Sequence, residues 1–209
     1  MGAELDPALH PGWPARLSWG PVELQPLRRG DNADWVRLRT RNERWLSPWE
    51  PSVGLSWPAR HNAAAYRAMQ RATSRRARLG MSLPFAIRYE GRLAGQVTVD
   101  NIVRGALRSG HLGYWVDEAV AGRGVTSLAV ALVCDHVFGP VGLHRLQADI
   151  RPENRPSRRL VERLGFRQEG LFRDYLDIDG AWRDHLGYAL LAGENPGGVL
   201  AHWRSRAPS

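Results

Sequence analysis

The stretch Ala121-Gly122-Arg123-Gly124-Val125-Thr126 lies between a predicted strand, Gly110–Val116, and a strongly apolar segment, Val125–Phe138. That segment predicts a helix, which Gly139-Pro140 would end. A helix N-terminus exposes unpaired N–H groups and a partial positive charge, and glycines let an anion approach the backbone closely. Together with Arg123, the turn predicts a pyrophosphate site, although Gly-x-Gly also occurs in ordinary tight turns.

Alternating strands and helices are predicted on both sides of this turn. Val22–Leu27 is expected to be an edge strand, Asp31 and Ser56 to cap helices, residues 46–58 to form a long loop, and Asp179-Gly180 to be a hairpin turn. The remaining strands are predicted at Leu83–Tyr89, Leu93–Asn101, Gly110–Val116, Leu143–Ile150, Phe166–Ile178 and Ala181–Leu191, and the helices at Asp31–Arg41, Pro58–Leu79, Val125–Phe138 and Arg155–Leu164.

The order of these segments predicts one α/β domain. No repeat or linker interrupts residues 19–193, which we take as that domain. Residues 1–18, rich in Pro and Gly, are expected to be a flexible arm, and residues 194–209 a tail in which Val199–Trp203 could dock.

The composition limits the chemistry. All 29 basic residues are arginine, which excludes a Walker A lysine and a Schiff-base lysine. The net charge of +8 reflects either a GC-rich genome or an anionic partner, such as a phosphorylated cofactor, RNA or an acidic protein. No apolar run is long enough for a membrane span, no signal peptide is recognisable, and the single Cys134 cannot form an internal disulfide, so we expect a cytoplasmic protein.

A second segment, Arg151-Pro152-Glu153-Asn154-Arg155-Pro156-Ser157, follows a strand and precedes a helix. Asn154 and Ser157 lie three residues apart at the helix start, where local evidence favours an ordinary N-cap pair. The Asn-x-x-Ser motif is informative because of its position along the chain. The order is a phosphate-type turn, a helix, a strand, the motif and a second helix.

That order resembles the Gcn5-related N-acetyltransferase (GNAT) superfamily, whose turn reads Arg/Gln-x-x-Gly-x-Gly/Ala. Ala121 and Thr126 depart from the pattern, whereas Gly124 keeps it. The chain is similar in more detail to ribosomal-protein-alanine N-acetyltransferases of the RimJ type. The stretches that carry this similarity are Trp45–Pro51, Asn101–Gly105, Leu160–Gly170 and Arg173–His185.

The resemblance implies a single-domain fold with a mixed, mostly antiparallel sheet, flanked by helices and splayed between the strands ending at Val116 and Ile150. Acetyl-CoA, the implied co-substrate, would enter this split, and Asn154 would bind its pantetheine arm. The backbone of Trp115 and Val116 would pair with the pantetheine, and the pyrophosphate would lie on the amides of Gly122, Arg123, Gly124, Val125 and Thr126.

The resemblance also suggests how the leaving thiolate is protonated. Many superfamily members use a tyrosine at the position of Val161, which cannot donate a proton. RimL-type relatives have a serine at the position of Ser157, and we expect this hydroxyl to donate a hydrogen bond to the sulfur.

A protein α-amine has a pKa near 8, so a carboxylate-bound water would suffice as base on the acceptor side. Glu50 is the leading candidate, ahead of Asp100 and Asp174. The alternative interpretation is an ion pair of Glu50 with an arginine, and of Asp174 with Arg183 across the hairpin. The tryptophans Trp45, Trp49 and Trp57 could wall an acceptor groove or pack in the core. No metal is expected, because Cys134 is predicted to be a core residue of an apolar helix, and His111, His144 and His185 lack metal-ligand spacing.

The acceptor remains open at this point. The leading hypothesis is direct acetyl transfer to a protein N-terminal α-amine, of a ribosomal protein, with no acyl-enzyme and with weak RNA or ribosome association. The alternatives are a small-molecule amine such as an aminoglycoside, and a basic RNA- or ribosome-binding module with little turnover. Oligomeric state is open between monomer and homodimer. The arginines that motivate the binding module are Arg60, Arg67, Arg71, Arg75, Arg76 and Arg78.

Overall fold

The computed structural model describes residues 12–206, so most of the expected arm (1–11) and the last three residues (207–209) lie outside the described part. The strands are β1 (Leu17–Trp19), β2 (Val22–Pro26), β3 (Leu83–Tyr89), β4 (Arg92–Val103), β5 (Ser109–Val116), β6 (Arg145–Ile150), β7 (Arg167–Ile178) and β8 (Ala181–Leu191). The helices are α1 (Asn32–Arg41), α2 (Glu43–Leu46), α3 (Trp57–Arg60), α4 (Ala63–Arg78), α5 (Val125–Phe138), α6 (Arg155–Arg163) and α7 (Val199–Arg206).

The strands form one mixed sheet in the order β1-β2-β3-β4-β5-β6-β8-β7. Strands β5 and β6 are parallel, and every other neighbouring pair is antiparallel. Strand β5 pairs with β6 only from Ser109 to His111, opposite Arg145 to Gln147. Beyond that point the two strands separate, which confirms the expected α/β fold with a sheet splayed at its centre.

Two helical layers cover the sheet. Helix α5 is apolar on nearly every side and packs with Val97, Val99 and Val116 in the main core. On the opposite face, a smaller cluster joins α1 and α4 to the sheet through Trp35, Leu38 and Tyr66. Of the helices within residues 12–206, none is long and apolar enough to cross a membrane.

Strand β2 is not the edge strand that the sequence predicted. Leu17 pairs with Leu24 and Trp19 with Val22, so β1 lies at the edge. The arm expected to extend to residue 18 therefore ends inside a strand. A three-residue strand is too short to show an alternating pattern, which explains why the sequence did not reveal it.

The predicted long helix Pro58–Leu79 is two helices. Helix α3 ends at Arg60, and α4 begins after Asn62, whose side-chain oxygen accepts from the N–H groups of Ala64 and Ala65, both at 3.0 Å. An asparagine in this position satisfies the exposed N–H groups of a new helix, so it marks a start. The predicted loop 46–58 contains a further helical turn, Ser47–Trp49.

Asp31 occupies the cap position of α1 but does not cap it with its side chain. Its carboxylate accepts from the N–H of Arg28 at 2.8 Å and pairs with Arg88 of β3. The expected cap is therefore replaced by a contact between the start of α1 and the sheet.

The expected tail forms α7, which packs against α5. Asp135 of α5 caps α7, because its two oxygens accept from the N–H groups of Val199 (2.6 Å) and Leu200 (3.1 Å). A carboxylate at a helix N-terminus also opposes the positive end of the helix dipole. Contacts with a distant helix thus hold this segment in place.

We predict that Gly95→Ala destabilises the protein by about 2 kcal/mol, measured by urea unfolding. A Cβ at Gly95 would lie 2.3 Å from the carbonyl oxygen of Trp115 and 3.0 Å from the Cα of Val116, and backbone atoms in a sheet cannot move aside. Gly113→Ala is the matched control, because a Cβ at Gly113 meets no atom within 4 Å. Equal unfolding free energies for the two variants would contradict the prediction.

Candidate active site

The glycine turn precedes α5 in the predicted way. Gly122 and Gly124 both have φ of 77°, a left-handed conformation that glycine adopts without strain. Gly124 is the N-cap of α5, and no side chain caps the helix. The first N–H groups of the helix thus have no capping side chain, as an anion site requires.

The split in the sheet exposes backbone groups of β5. The N–H of Asp117 donates to the carbonyl of Ala94 at 2.8 Å, and Val116 lies opposite Gly95. Hydrogen-bonded and non-hydrogen-bonded pairs alternate along antiparallel strands, so Val116 directs its N–H and C=O toward the split, and Trp115 toward β4. The Val116 carbonyl already accepts from the Trp45 indole N–H at 3.1 Å, which leaves its N–H for a ligand.

The start of α6 faces this split. The Asn154 side-chain oxygen accepts from the Ser157 N–H at 3.2 Å, which is the cap contact that the local sequence favoured. The Ser157 hydroxyl lies 2.7 Å from the hydroxyl of Tyr114 on β5. Burial raises the pKa of Tyr114 far above its usual value, so this phenol keeps its proton.

One cavity of about 1060 Å³ brings these parts together. It extends from the glycine turn, along the split, to the loop that carries Trp49 and Glu50. All the predicted site residues line it, namely Glu50, Trp115, Val116, Gly122, Arg123, Gly124, Val125, Thr126, Asn154 and Ser157.

Glu50 is held by cations. Its carboxylate pairs with Arg39 and, at 3.0 Å, with Arg60, and lies 3.6 Å from His61 Nε2. Burial raises the pKa of Glu50, but the hydrogen bond from His61 and the charge and hydrogen bond of Arg39 outweigh burial and lower it below the usual value. A carboxylate with a lowered pKa is a weak base. Of the two interpretations from the sequence, the structure shows the ion pair of Glu50 with arginine.

Arg39 is enclosed by aromatic rings. Its guanidinium carbon lies 4.8 to 5.5 Å from the ring centroids of Trp35, Trp57 and Trp115, and the residue is only 3% exposed. These contacts combine cation–π attraction with burial of a charge that Glu50 neutralises. The Arg39–Glu50 pair therefore connects the loop that carries Trp49 and Glu50 to Trp115 of β5.

The other carboxylate candidates also have structural contacts. Asp100 pairs with Arg76 at 2.6 Å. The suggested Asp174–Arg183 pair is absent from the described contacts: Arg183 donates to the Ile178 carbonyl at 3.4 Å, and the N–H of Asp174 donates to Asp184 at 2.9 Å. A bulge in β7 at this point accounts for the difference, because it shifts the side chains out of register.

The three loop tryptophans divide between the two roles considered for them. Trp45 and Trp49 line the cavity. Trp57 is buried, and its indole donates to the Arg39 carbonyl at 2.9 Å, so it belongs to the core.

Sequence reasoning missed two groupings. One is Tyr114 beside Ser157, which are 43 residues apart. The other is Asp149 of β6, which accepts from His111 at 3.2 Å and from the Tyr175 hydroxyl at 3.3 Å. The hydrogen bond to Asp149 raises the pKa of His111. Only the parallel register of β5 and β6 reveals the second grouping, because Gln147 lies opposite His111.

Cys134 and the histidines form no metal centre within residues 12–206, where no three His, Cys, Asp or Glu side chains are grouped to hold an ion. Cys134 is fully buried in α5, and burial raises the pKa of its thiol. A buried thiol with a raised pKa is inert as a nucleophile.

Comparison with known proteins agrees with this geometry. Residues 22–167 match the family described as "Acetyltransferase (GNAT) domain", and the chain therefore belongs to this family. It is an acetyl-CoA-dependent N-acetyltransferase, and its residues fit that co-substrate: an uncapped helix start preceded by glycines, a free N–H at Val116, and a long cavity between them.

Individual relatives extend the match. The structure of Mycobacterium smegmatis RimJ in complex with CoA-disulfide superposes with a TM-score of 0.92 at 42% identity, covering 94% of this chain and 97% of that one. The [ribosomal protein uS5]-alanine N-acetyltransferase of Escherichia coli is 32% identical over 160 residues, which are 71% of this chain and 76% of that protein. The "Probable N-acetyltransferase YjcK" of Bacillus subtilis is 41% identical over 102 residues, 49% of this chain and 56% of that protein.

Proposed function

We propose that this protein transfers the acetyl group of acetyl-CoA directly to the N-terminal α-amine of a protein, and that the acceptor is a ribosomal protein in the cytoplasm. The observation that carries the proposal is the single cavity that joins the glycine turn, the Val116 N–H and the Ser157 hydroxyl. The printed activity of the Escherichia coli relative, uS5-alanine N-acetylation, supports the acceptor class.

The backbone supplies most of the binding in this proposal. The amides from Gly122 to Thr126 and the positive end of α5 hold the pyrophosphate. The N–H of Val116 points into the split and donates to the thioester carbonyl oxygen, where negative charge develops during attack. The uncommitted side-chain N–H₂ of Asn154 binds the pantetheine arm, while its oxygen caps α6. Trp115 contributes its side chain, since its own N–H faces β4.

Ser157 acts on the leaving sulfur. In the proposed step, the protonated Tyr114 donates to the Ser157 oxygen, and the serine proton is then directed at the thiolate. A hydroxyl has too high a pKa to be a strong acid, so Ser157 stabilises the thiolate chiefly as a hydrogen-bond donor.

The acceptor amine needs little help to lose its proton. With a pKa near 8, a substantial fraction of an α-amine is neutral at pH 7 to 8. Glu50, whose pKa is lowered, is better suited to fixing the Trp49 loop at the acceptor end than to accepting a proton. In this proposal the chain terminus of the acceptor lies between this loop and the split, where Trp45 and Trp49 line the cavity wall.

The proposal is tested by incubating the purified protein and acetyl-CoA with peptides that copy ribosomal protein N-termini. We expect CoA release, and we expect mass spectrometry to locate one added acetyl group on the α-amine. Peptides blocked at the N-terminus are the control, and aminoglycosides and simple amines test the small-molecule alternative. Turnover of the amines with none of the peptides would overturn the acceptor assignment.

A further inference from the structure

Four arginines of the described part of the chain line the cavity. Arg123 follows the first glycine of the turn, Arg159 and Arg163 come from α6, and Arg206 comes from α7. Among the described residues that line the cavity, Glu50 is the only carboxylate, and it is already paired with Arg39 and Arg60. The cavity is therefore strongly positive.

These four arginines have no ion pair with a carboxylate in the described part of the chain. Arg163 makes a hydrogen bond from its Nε to the Arg159 carbonyl at 3.2 Å, which leaves the outer edge of its guanidinium for another acceptor. Arg159 and Arg163 are four residues apart on α6 and so share one face of the helix. Such a group of cations, without an ion-paired carboxylate among the described residues, fits an anionic ligand.

Helix α7 brings a second feature to the same place. The Trp203 ring lies 3.5 Å from the position that a Cβ would occupy at Gly124, and it lines the cavity together with Arg206. The N–H groups of Val199 and Leu200 donate to the Asp135 carboxylate, and these hydrogen bonds fix the start of this helix. Helix α7 lies beyond residues 22–167, the part of the chain that matches the family.

The amides of the turn and Arg123 are sufficient for one pyrophosphate, which leaves Arg159, Arg163 and Arg206 for a second anion. A phosphomonoester near pH 7 carries a charge of about −1.5 to −2 and offers three acceptor oxygens, which suits several guanidinium groups. An aromatic ring beside them suits stacking against a nucleobase.

We propose that α6 and α7 form a subsite for the 3′-phosphorylated adenosine end of CoA. Arg159, Arg163 and Arg206 bind the 3′-phosphate, and Trp203 contacts the adenine. Through this subsite, the enzyme discriminates CoA from the same molecule without its 3′-phosphate.

Equilibrium binding tests the subsite without any acceptor, so the result is independent of the proposed substrate. Calorimetry of the full-length protein should give a Kd for CoA about tenfold or more below that for 3′-dephospho-CoA. In Arg206→Ala and Arg163→Ala this ratio should fall toward one, mainly because CoA binds more weakly, while the Kd for dephospho-CoA changes less than about twofold. Trp203→Ala should weaken both ligands and keep the ratio.

Arg204→Ala is the matched control. Arg204 lies on the same helix, but its guanidinium carbon stacks 4.6 Å from the ring centroid of Trp19, and it does not line the cavity. It should keep the wild-type ratio, and unchanged melting temperatures would show that the variants fold. A wild-type ratio near one, a ratio that neither Arg163→Ala nor Arg206→Ala lowers, or absence of CoA binding would overturn the proposal.

Discussion

Replacing Ser157 with alanine is expected to lower kcat at saturating acetyl-CoA by about 100-fold or more, with little change in the KM for acetyl-CoA. In the proposed mechanism the hydroxyl contacts the sulfur only as the thiolate leaves, so its loss removes an interaction of the transition state rather than of the bound substrate. Tyr114→Phe should lower kcat by a smaller factor, about tenfold, because Ser157 keeps its hydroxyl but loses the partner at 2.7 Å that orients it.

Ser127→Ala is the control for the serine prediction. Ser127 also lines the cavity, but it lies in the first turn of α5, near the proposed pyrophosphate site. It should keep a kcat close to wild type. Steady-state kinetics with one acceptor peptide compare the three variants, and an unchanged kcat for Ser157→Ala would remove this residue from the mechanism.

Replacing Arg39 with methionine is expected to destabilise the fold by about 3 kcal/mol, measured by urea unfolding at pH 7. The change removes a cation that three tryptophans enclose, and it leaves Glu50 with fewer opposing charges in a mostly buried position. Adding Glu50→Gln to the variant should restore part of the loss, because no unpaired carboxylate then remains.

Arg37→Met is the matched control for Arg39. Arg37 lies on the same helix and pairs with Asp34 at 2.8 Å, but both side chains are more than half exposed. An exposed pair of this kind contributes about 0.5 kcal/mol or less. Equal losses for the two variants would contradict a special role for the buried pair.

The pH dependence of the same pair has a definite sign. Because the folded protein lowers the pKa of Glu50, the carboxylate contributes stability above its ordinary pKa of about 4.5, and this contribution disappears as the pH falls through the lower, folded value. In Arg39→Met one source of the lowering is absent. Its stability should therefore begin to fall at a higher pH than that of the wild type during acid titration.

Features governed by local rules were predictable from the sequence. The glycine turn, the apolar helix after it and the Asp179-Gly180 hairpin follow from backbone geometry at a few adjacent residues, and both turn residues of the hairpin have positive φ. The chain order around Asn154 and Ser157, together with the family resemblance, then indicated the split sheet.

Features that depend on distant contacts were not predictable. Helix α7 has little amphipathic pattern of its own and relies on Asp135, which lies 64 residues before Val199. The Tyr114–Ser157 contact exists because the split brings β5 near α6. The roles of Glu50 and Asp100 depended on which arginines fold beside them, and in a chain with 29 basic residues the sequence offers many partners.

The loop that carries Trp49 and Glu50 is attached to the β7–β8 hairpin at one edge of the sheet. The N–H of Ser52 donates to the Asp177 carbonyl, its hydroxyl accepts from the Gly180 N–H, both at 2.8 Å, and Pro51 bridges to Ile178. The loop and the hairpin turn, more than 120 residues apart in sequence, are therefore held together by hydrogen bonds. If the acceptor binds at this loop as proposed, substitutions in the hairpin turn should change acceptor preference through the shift that they cause in the loop.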